Sequence, residues 1–185
     1  MKRDSIGIFI DGDYFDGILR NEFDYQRVDF LTFSQLITPE GAQRFRTYYY
    51  KSVPYVGPDS PPDEKARSEG VEKFLQSLRH LPRFKVRTGE LTKTVDGQFK
   101  RKGINVSMSV DVTRLCTERI IDQVFMVCSD PDLLPLIKAS RDMGAIVRLY
   151  HGENIPERML AECDEAVRID DDIVNQVLRE TSNSH

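Results

Sequence analysis

The chain has 185 residues, 39% of them apolar and 30% charged, with a formal net charge of −4 and three cysteines. That is enough chain for one domain with a full core, and the composition is that of a globular protein. No apolar run reaches the length of a membrane span and the start resembles no signal peptide, so no membrane partner is expected. Cys116, Cys128 and Cys163 form no Cys-x-x-Cys pair. They read as reduced core thiols, which argues against structural zinc and for a cytoplasmic location.

Residues 5–10 are an apolar run ending at Asp11-Gly12-Asp13, read as the first, central strand. Residues 14–21 place Phe15, Ile18 and Leu19 at helical spacing, and 29–37 form a second short helix before Pro39. Residues 42–50, with Phe45 and three successive tyrosines, have strand character. Those tyrosines either stack on bases or pack in a core, and packing is the simpler reading. Residues 53–63 are rich in proline and read as a loop; it could cover a cleft or meet a second copy in a homodimer, and an ordinary surface loop is the simpler reading. Residues 64–80 carry Val71, Phe74, Leu75 and Leu78 at helical spacing. Residues 83–91 read as a strand, with a hairpin turn at Asp96-Gly97.

The segment 104–119 admits two readings. Ile104, Val106, Met108, Val110 and Val112 alternate as in a strand, but a length near sixteen residues without a turn signal favours a helix. Residues 124–128 and 146–150 are buried strands around a helix over 133–143, with Gly144 as its stop. A short helix at 156–161, a strand at 166–169 and a helix at 170–179 complete the chain. Strands alternating with helices imply an α/β fold with a mainly parallel central sheet covered on both faces.

Charge is unevenly spread. Residues 79–102 hold eight basic side chains against two acids, whereas 151–185 hold nine acids against three arginines. The basic band suits a phosphate backbone or an ordinary solvated surface.

Asp11 and Asp130 each follow an apolar strand, and carboxylates at the carboxyl ends of parallel strands lie where open α/β sheets bind ligands. Asp130 could equally cap the next helix, with Pro131 opening it. Asp13 and Asp132 lie two residues further along. Asp111 sits among Met108, Val110 and Val112, where a carboxylate needs a partner or a cation. Clustered carboxylates stay ionised around a metal, and an all-oxygen site suits Mg²⁺ or Mn²⁺. Lys102 beside Gly103 could hold a phosphate or equally be a solvated basic loop residue.

Phe-Ile-Asp-Gly at 9–12, Lys-Gly-Ile-Asn-Val at 102–106, Val-Asp-Val at 110–112, Ser-Asp-Pro-Asp-Leu-Leu-Pro-Leu-Ile at 129–137 and Met-Gly at 143–144 together resemble the NYN domain of the PIN-like nuclease superfamily. The resemblance covers residues 5–150, the core of a single domain spanning 1–185 with a C-terminal strand and helix appended. It implies the three-layer α/β/α fold, makes 104–119 a helix, and implies a ribonuclease acting on RNA, expected to be single-stranded, through Mg²⁺ or Mn²⁺. Asp11, Asp111 and Asp130 become the implied metal ligands, with Asp132 a fourth catalytic acid. Arg101, Lys102, Asn105 and Ser129 are the candidate substrate contacts. Tyr14 stands where the family commonly has Asn, and Asn105 where it commonly has Asp.

Two other functions remain open: an RNA-binding module without catalysis on the same fold, and a haloacid-dehalogenase-type phosphatase using Asp11 as nucleophile.

Overall fold

The computed structural model describes residues 4–54, 56–57, 59–93, 96 and 98–179. Gly97, at the expected hairpin turn, lies outside them.

In chain order the elements are β1 (Ser5–Asp11), α1 (Gly12–Glu22), α2 (Phe30–Leu36), β2 (Gln43–Pro54), α3 (Pro62–Arg79), β3 (Phe84–Lys93) and β4 (Phe99–Lys102). They continue with α4 (Ile104–Thr117), β5 (Gln123–Val127), a 3₁₀ turn (Pro131–Leu133), α5 (Leu134–Asp142), β6 (Ile146–His151), α6 (Glu157–Glu162), β7 (Glu165–Arg168) and α7 (Asp171–Gln176). The strands form one sheet in the order β4-β3-β2-β1-β5-β6-β7. Every neighbouring pair is parallel except β3 and β4.

Parallel strands are covered on both faces, so their residues are apolar throughout and alternate between two cores. In β1, Ile8 and Ile10 pack with Phe15, Phe33 and Leu75 of α1, α2 and α3. Phe9 packs on the other face in one cluster with Met108, Val112 and Ile137 of α4 and α5. The expected three-layer α/β/α architecture is therefore what forms. Tyr48, Tyr49 and Tyr50 have no exposed surface; Tyr48 stacks on Phe9 at 5.1 Å, so the tyrosines serve packing.

The segment 104–119 is a helix over most of its length, and the helix explains its alternation. Ile104, Met108 and Val112 recur every four residues and are buried, whereas Val106 and Val110 point to solvent, 68% and 61% exposed. A second difference lies in β2, which runs through Ser52 and Val53 to Pro54 into the expected proline loop. It stays extended there because β3 pairs alongside as far as Pro54↔Leu91.

The chain moves outward from β1 in two directions. One path runs through β2 and β3 with α1–α3 on one face, the other through β5, β6 and β7 with α5 and α6 on the opposite face. The two paths part between β1 and β5, the switch point at whose carboxyl strand ends open α/β sheets form their ligand crevice.

Candidate functional site

Asp11 ends β1 and caps α1. Its Oδ1 accepts the backbone N–H of Asp13 at 3.0 Å and of Tyr14 at 3.2 Å, satisfying donors at the helix start. The carboxylate is buried. Arg101 of β4 reaches it, Nη1 donating to Oδ1 at 2.9 Å and Oδ2 at 3.0 Å. Burial raises the Asp11 pKa, and Arg101 opposes the rise without cancelling it.

Arg101 reaches that far because β4 overhangs the crevice. Asp11 is level with Tyr50 and Arg87 across the sheet, whereas β4 pairs only with Glu90–Lys93 of β3, beyond that level.

Asp13 lies beside Asp11. Lys51 Nζ stands 2.8 Å from its Oδ1, and the Ser52 N–H donates to Oδ2 at 3.1 Å. Arg101 Nη1 adds a longer contact of 3.3 Å. Burial pushes the Asp13 pKa up, but Lys51 and Ser52 outweigh it and the carboxyl ends below its usual value. Lys51 also pairs with Asp16.

Asp130 follows β5 and caps the 3₁₀ turn, its Oδ1 accepting the Asp132 N–H at 3.0 Å. The cap and the site reading thus fall on the same residue. Asn105 Nδ2, in the first turn of α4, donates to Asp130 Oδ2 at 2.7 Å. The other amide atom, Asn105 Oδ1, is buried and has no hydrogen-bond partner. Between the two strand ends, the Cys128 thiol is pushed well up by burial and by the charges of Asp11 and Asp130. Ser129 is half-buried in the loop after β5, Asp132 is exposed beyond it, and Lys102 is exposed at the end of β4.

Asp111 has a different setting. It is buried on α4, and Arg87 of β3 grips it with two hydrogen bonds, Nε to Oδ2 at 2.9 Å and Nη2 to Oδ1 at 2.8 Å. The Tyr50 hydroxyl donates to Oδ2 at 2.9 Å. Burial raises its pKa, but Arg87 and Tyr50 outweigh that and hold the carboxyl below its usual range. This is a fork-to-fork ion pair that ties α4 to the sheet.

Thus Asp11 and Asp130 flank one crevice, with Asn105 and Arg101 beside them, while Asp111 is engaged by the sheet. Among the described residues no three acidic, histidine or cysteine side chains gather into a metal-holding group. The expected assembly of Asp11, Asp111 and Asp130 is not formed by carboxylates alone. The donors present nevertheless fit a hard divalent cation: two carboxylates and a buried amide oxygen with no partner, all oxygen.

The sequence reading missed Arg87 and Lys51. Arg87 lies level with Tyr50, a juxtaposition that becomes visible only once the strand register is known. Tyr14, in place of the family's Asn, accepts the Gly152 N–H at 3.0 Å and joins α1 to the end of β6. Its pKa is pushed up to about 12, mainly by burial.

Among the described residues no helix is long and apolar enough to cross a membrane. The NYN domain family matches residues 5–170. No curated protein matches the chain. A crystal structure of a protein of unknown function, VPA0982 from Vibrio parahaemolyticus RIMD 2210633, is similar in fold. Its TM-score is 0.65 at 17% identity, covering 97% of this chain and 100% of that one. With the family matching most of the chain across the sheet and the crevice, this protein belongs to the NYN domain family, a nuclease-like domain.

Proposed function

We propose that the chain is a Mg²⁺- or Mn²⁺-dependent ribonuclease whose reaction centre is the crevice between β1 and β5. The observation that carries this is the placement of Asp11 and Asp130 just beyond the paired carboxyl ends of two adjacent parallel strands, with an unpartnered Oδ1 on the Asn105 side chain that holds Asp130. Asp11, Asp130 and Asn105 would hold the ion. When bound, such an ion supplies the charge that activates water and stabilises the leaving oxygen in phosphodiester cleavage.

The remaining work falls to this chain's residues. Asn105 orients Asp130 through its amide hydrogen bond. Lys102, exposed beside the crevice, and Arg101 contribute positive charge toward a phosphate. Ser129, half-buried after β5, offers a hydroxyl near the substrate path. Asp132, exposed, orients solvent at the rim. Asp111 contributes through α4, whose first turn carries Asn105. The basic band around β3 and β4 supports a single-stranded RNA substrate.

One observation favours a second reading, an RNA-binding module without catalysis. Arg101 and Asn105 already satisfy Asp11 and Asp130, as an ion otherwise would. The phosphatase reading finds no support in the family assignment.

The deciding experiment is cleavage of labelled single-stranded RNA with Mn²⁺, with EDTA, and by the Asp130→Asn variant. Asparagine caps a helix turn as well as aspartate does, so the fold should survive. A fall of at least about a hundredfold in rate is expected, the usual scale for removing a group that stabilises transition-state charge. Cleavage indifferent to EDTA and to Asp130→Asn would refute the enzyme. RNA bound with a steep salt dependence but left intact supports the binding module.

A further inference from the structure

Arg101 has more to do than attract phosphate. Its Nη1 lies against both oxygens of Asp11 and reaches Asp13, the position of a cation held by both Asp11 oxygens together. Asp13 does not depend on it, being held by Lys51 and the Ser52 N–H. Asp11 does: its remaining hydrogen bonds come from two helix amides, and Arg101 is the side-chain cation upon it. Among the described residues the guanidinium is anchored through Nη1 alone. The Arg101 side chain keeps 31% of its surface exposed, whereas that of Asp11 keeps 1%. The strand that carries it is a four-residue edge strand overhanging the crevice.

We infer that Arg101 is a resident counter-cation of this site: it occupies Asp11 when no divalent ion is bound, competes with that ion, and on displacement turns to the substrate phosphate. The inference rests on the metal-dependent reading above. Two cations cannot share the same carboxylate lone pairs at hydrogen-bond distance, so docking of Arg101 and binding of the ion across both Asp11 oxygens exclude each other. The exchange keeps a positive charge against Asp11 throughout. A buried Asp11 is never left alone, which would be costly, and the released guanidinium enters a centre where a phosphate anion arrives. The exposed side of the side chain gives it room to leave.

The effect on affinity follows from the competition. If Arg101 stays docked about ten times as often as not, the apparent Kd for the ion is raised about tenfold. Mn²⁺ affinity, measured by electron paramagnetic resonance on the whole protein without RNA, is therefore expected to tighten about tenfold in Arg101→Met. That substitution keeps the apolar stem and removes the charge. Arg101→Lys, which retains a charge but not the planar fork, is expected to fall between. It carries the comparison if Arg101→Met does not fold. Adding Asp130→Asn to Arg101→Met should cancel the gain, which locates the ion in the crevice. In the unmodified protein, Mg²⁺ titration should shift the Arg101 Nε–H resonance. Equal or weaker Mn²⁺ binding in Arg101→Met overturns the inference and leaves the metal-dependent reading standing. Absence of Mn²⁺ binding in every variant overturns both.

Discussion

Asp11 and Asp111 are both buried carboxylates, and burial alone would raise both pKa values. Arg87 and Tyr50 reverse the sign at Asp111, whereas Arg101 fails to reverse it at Asp11. The linkage to stability therefore differs in sign. For Asp111 the folded pKa lies below the ordinary 3.8. Its contribution is complete above that value and is lost as pH falls through the lower, folded value. Asp111→Ala should cost about 1–3 kcal/mol at neutral pH, because it strips a buried tyrosine hydroxyl and a guanidinium of their acceptor. The upper end is tempered because Arg87 is partly hydrated. Urea denaturation at several pH values should show this deficit shrinking toward pH 3; a deficit constant with pH would contradict the linkage. For Asp11 the favourable contribution lies at low pH and is lost as pH rises through its raised, folded value. Asp11→Asn keeps a good helix cap and should raise the melting temperature in EDTA at neutral pH, at the expense of cation binding. A fall in melting temperature would mean that the Arg101 pair outweighs the burial of Asp11. In the sequence these two acids look alike. What separates them is the register of β2 against β3, which sets Tyr50 beside Arg87 and is not written in any local pattern.

At the scale of elements, the strand ends and helix starts are legible in the sequence because turn chemistry is local. Asp130 caps the turn that follows it, as its sequence position suggests; Asp11, Asp29 and Asp170 cap theirs as well, where the sequence pattern read a strand end and the first residues of two helices. The alternation in α4 is ambiguous because residues spaced by four are also spaced by two: Ile104, Met108 and Val112 fit either period, and only Val106 and Val110, which a helix turns to solvent, separate the two readings. Length cannot foresee that β2 extends to Pro54, since that depends on the β3 neighbour. Two glycines in the motifs have different physical roles, which gives a test. A Cβ on Gly12 would overlap the ring and hydroxyl of the fully buried Tyr49. Gly103, before α4, has φ +87° with open space around its Cβ position. Gly12→Ala should cost about 2–3 kcal/mol through overpacking. Gly103→Ala should cost only about 1–2 kcal/mol of backbone strain. Urea titration of the two variants should rank them in that order. The reverse ranking would show that the β4–α4 junction, not the β1–α1 junction, limits stability.

For the whole molecule, the doubly wound topology follows from the alternation of strands and helices, but the location of the crevice follows from strand order. Along the chain, Asp11 and Asp130 are more than a hundred residues apart. Only the insertion of β1 between β2 and β5 makes their strands neighbours. The same topology sends the basic stretch to one edge of the sheet, on β3 and β4, and the acids of α6 and β7 toward the other. An anionic polymer approaching this protein is therefore drawn to the edge from which Arg101 overhangs the crevice. Lys100 and Lys102 stand exposed on that edge strand and are not held in the ion pairs of the crevice. Replacing both by glutamine should weaken single-stranded RNA binding without altering Mn²⁺ affinity. The slope of log K against log salt should flatten by about 1.4, because each phosphate that a lysine neutralises on a single strand contributes about 0.7. Fluorescence anisotropy at four or five salt concentrations measures both the affinity and the slope. A lower affinity with an unchanged slope would place the phosphate-binding cations elsewhere on the molecule, because removing a charge that touches no phosphate releases no counterion.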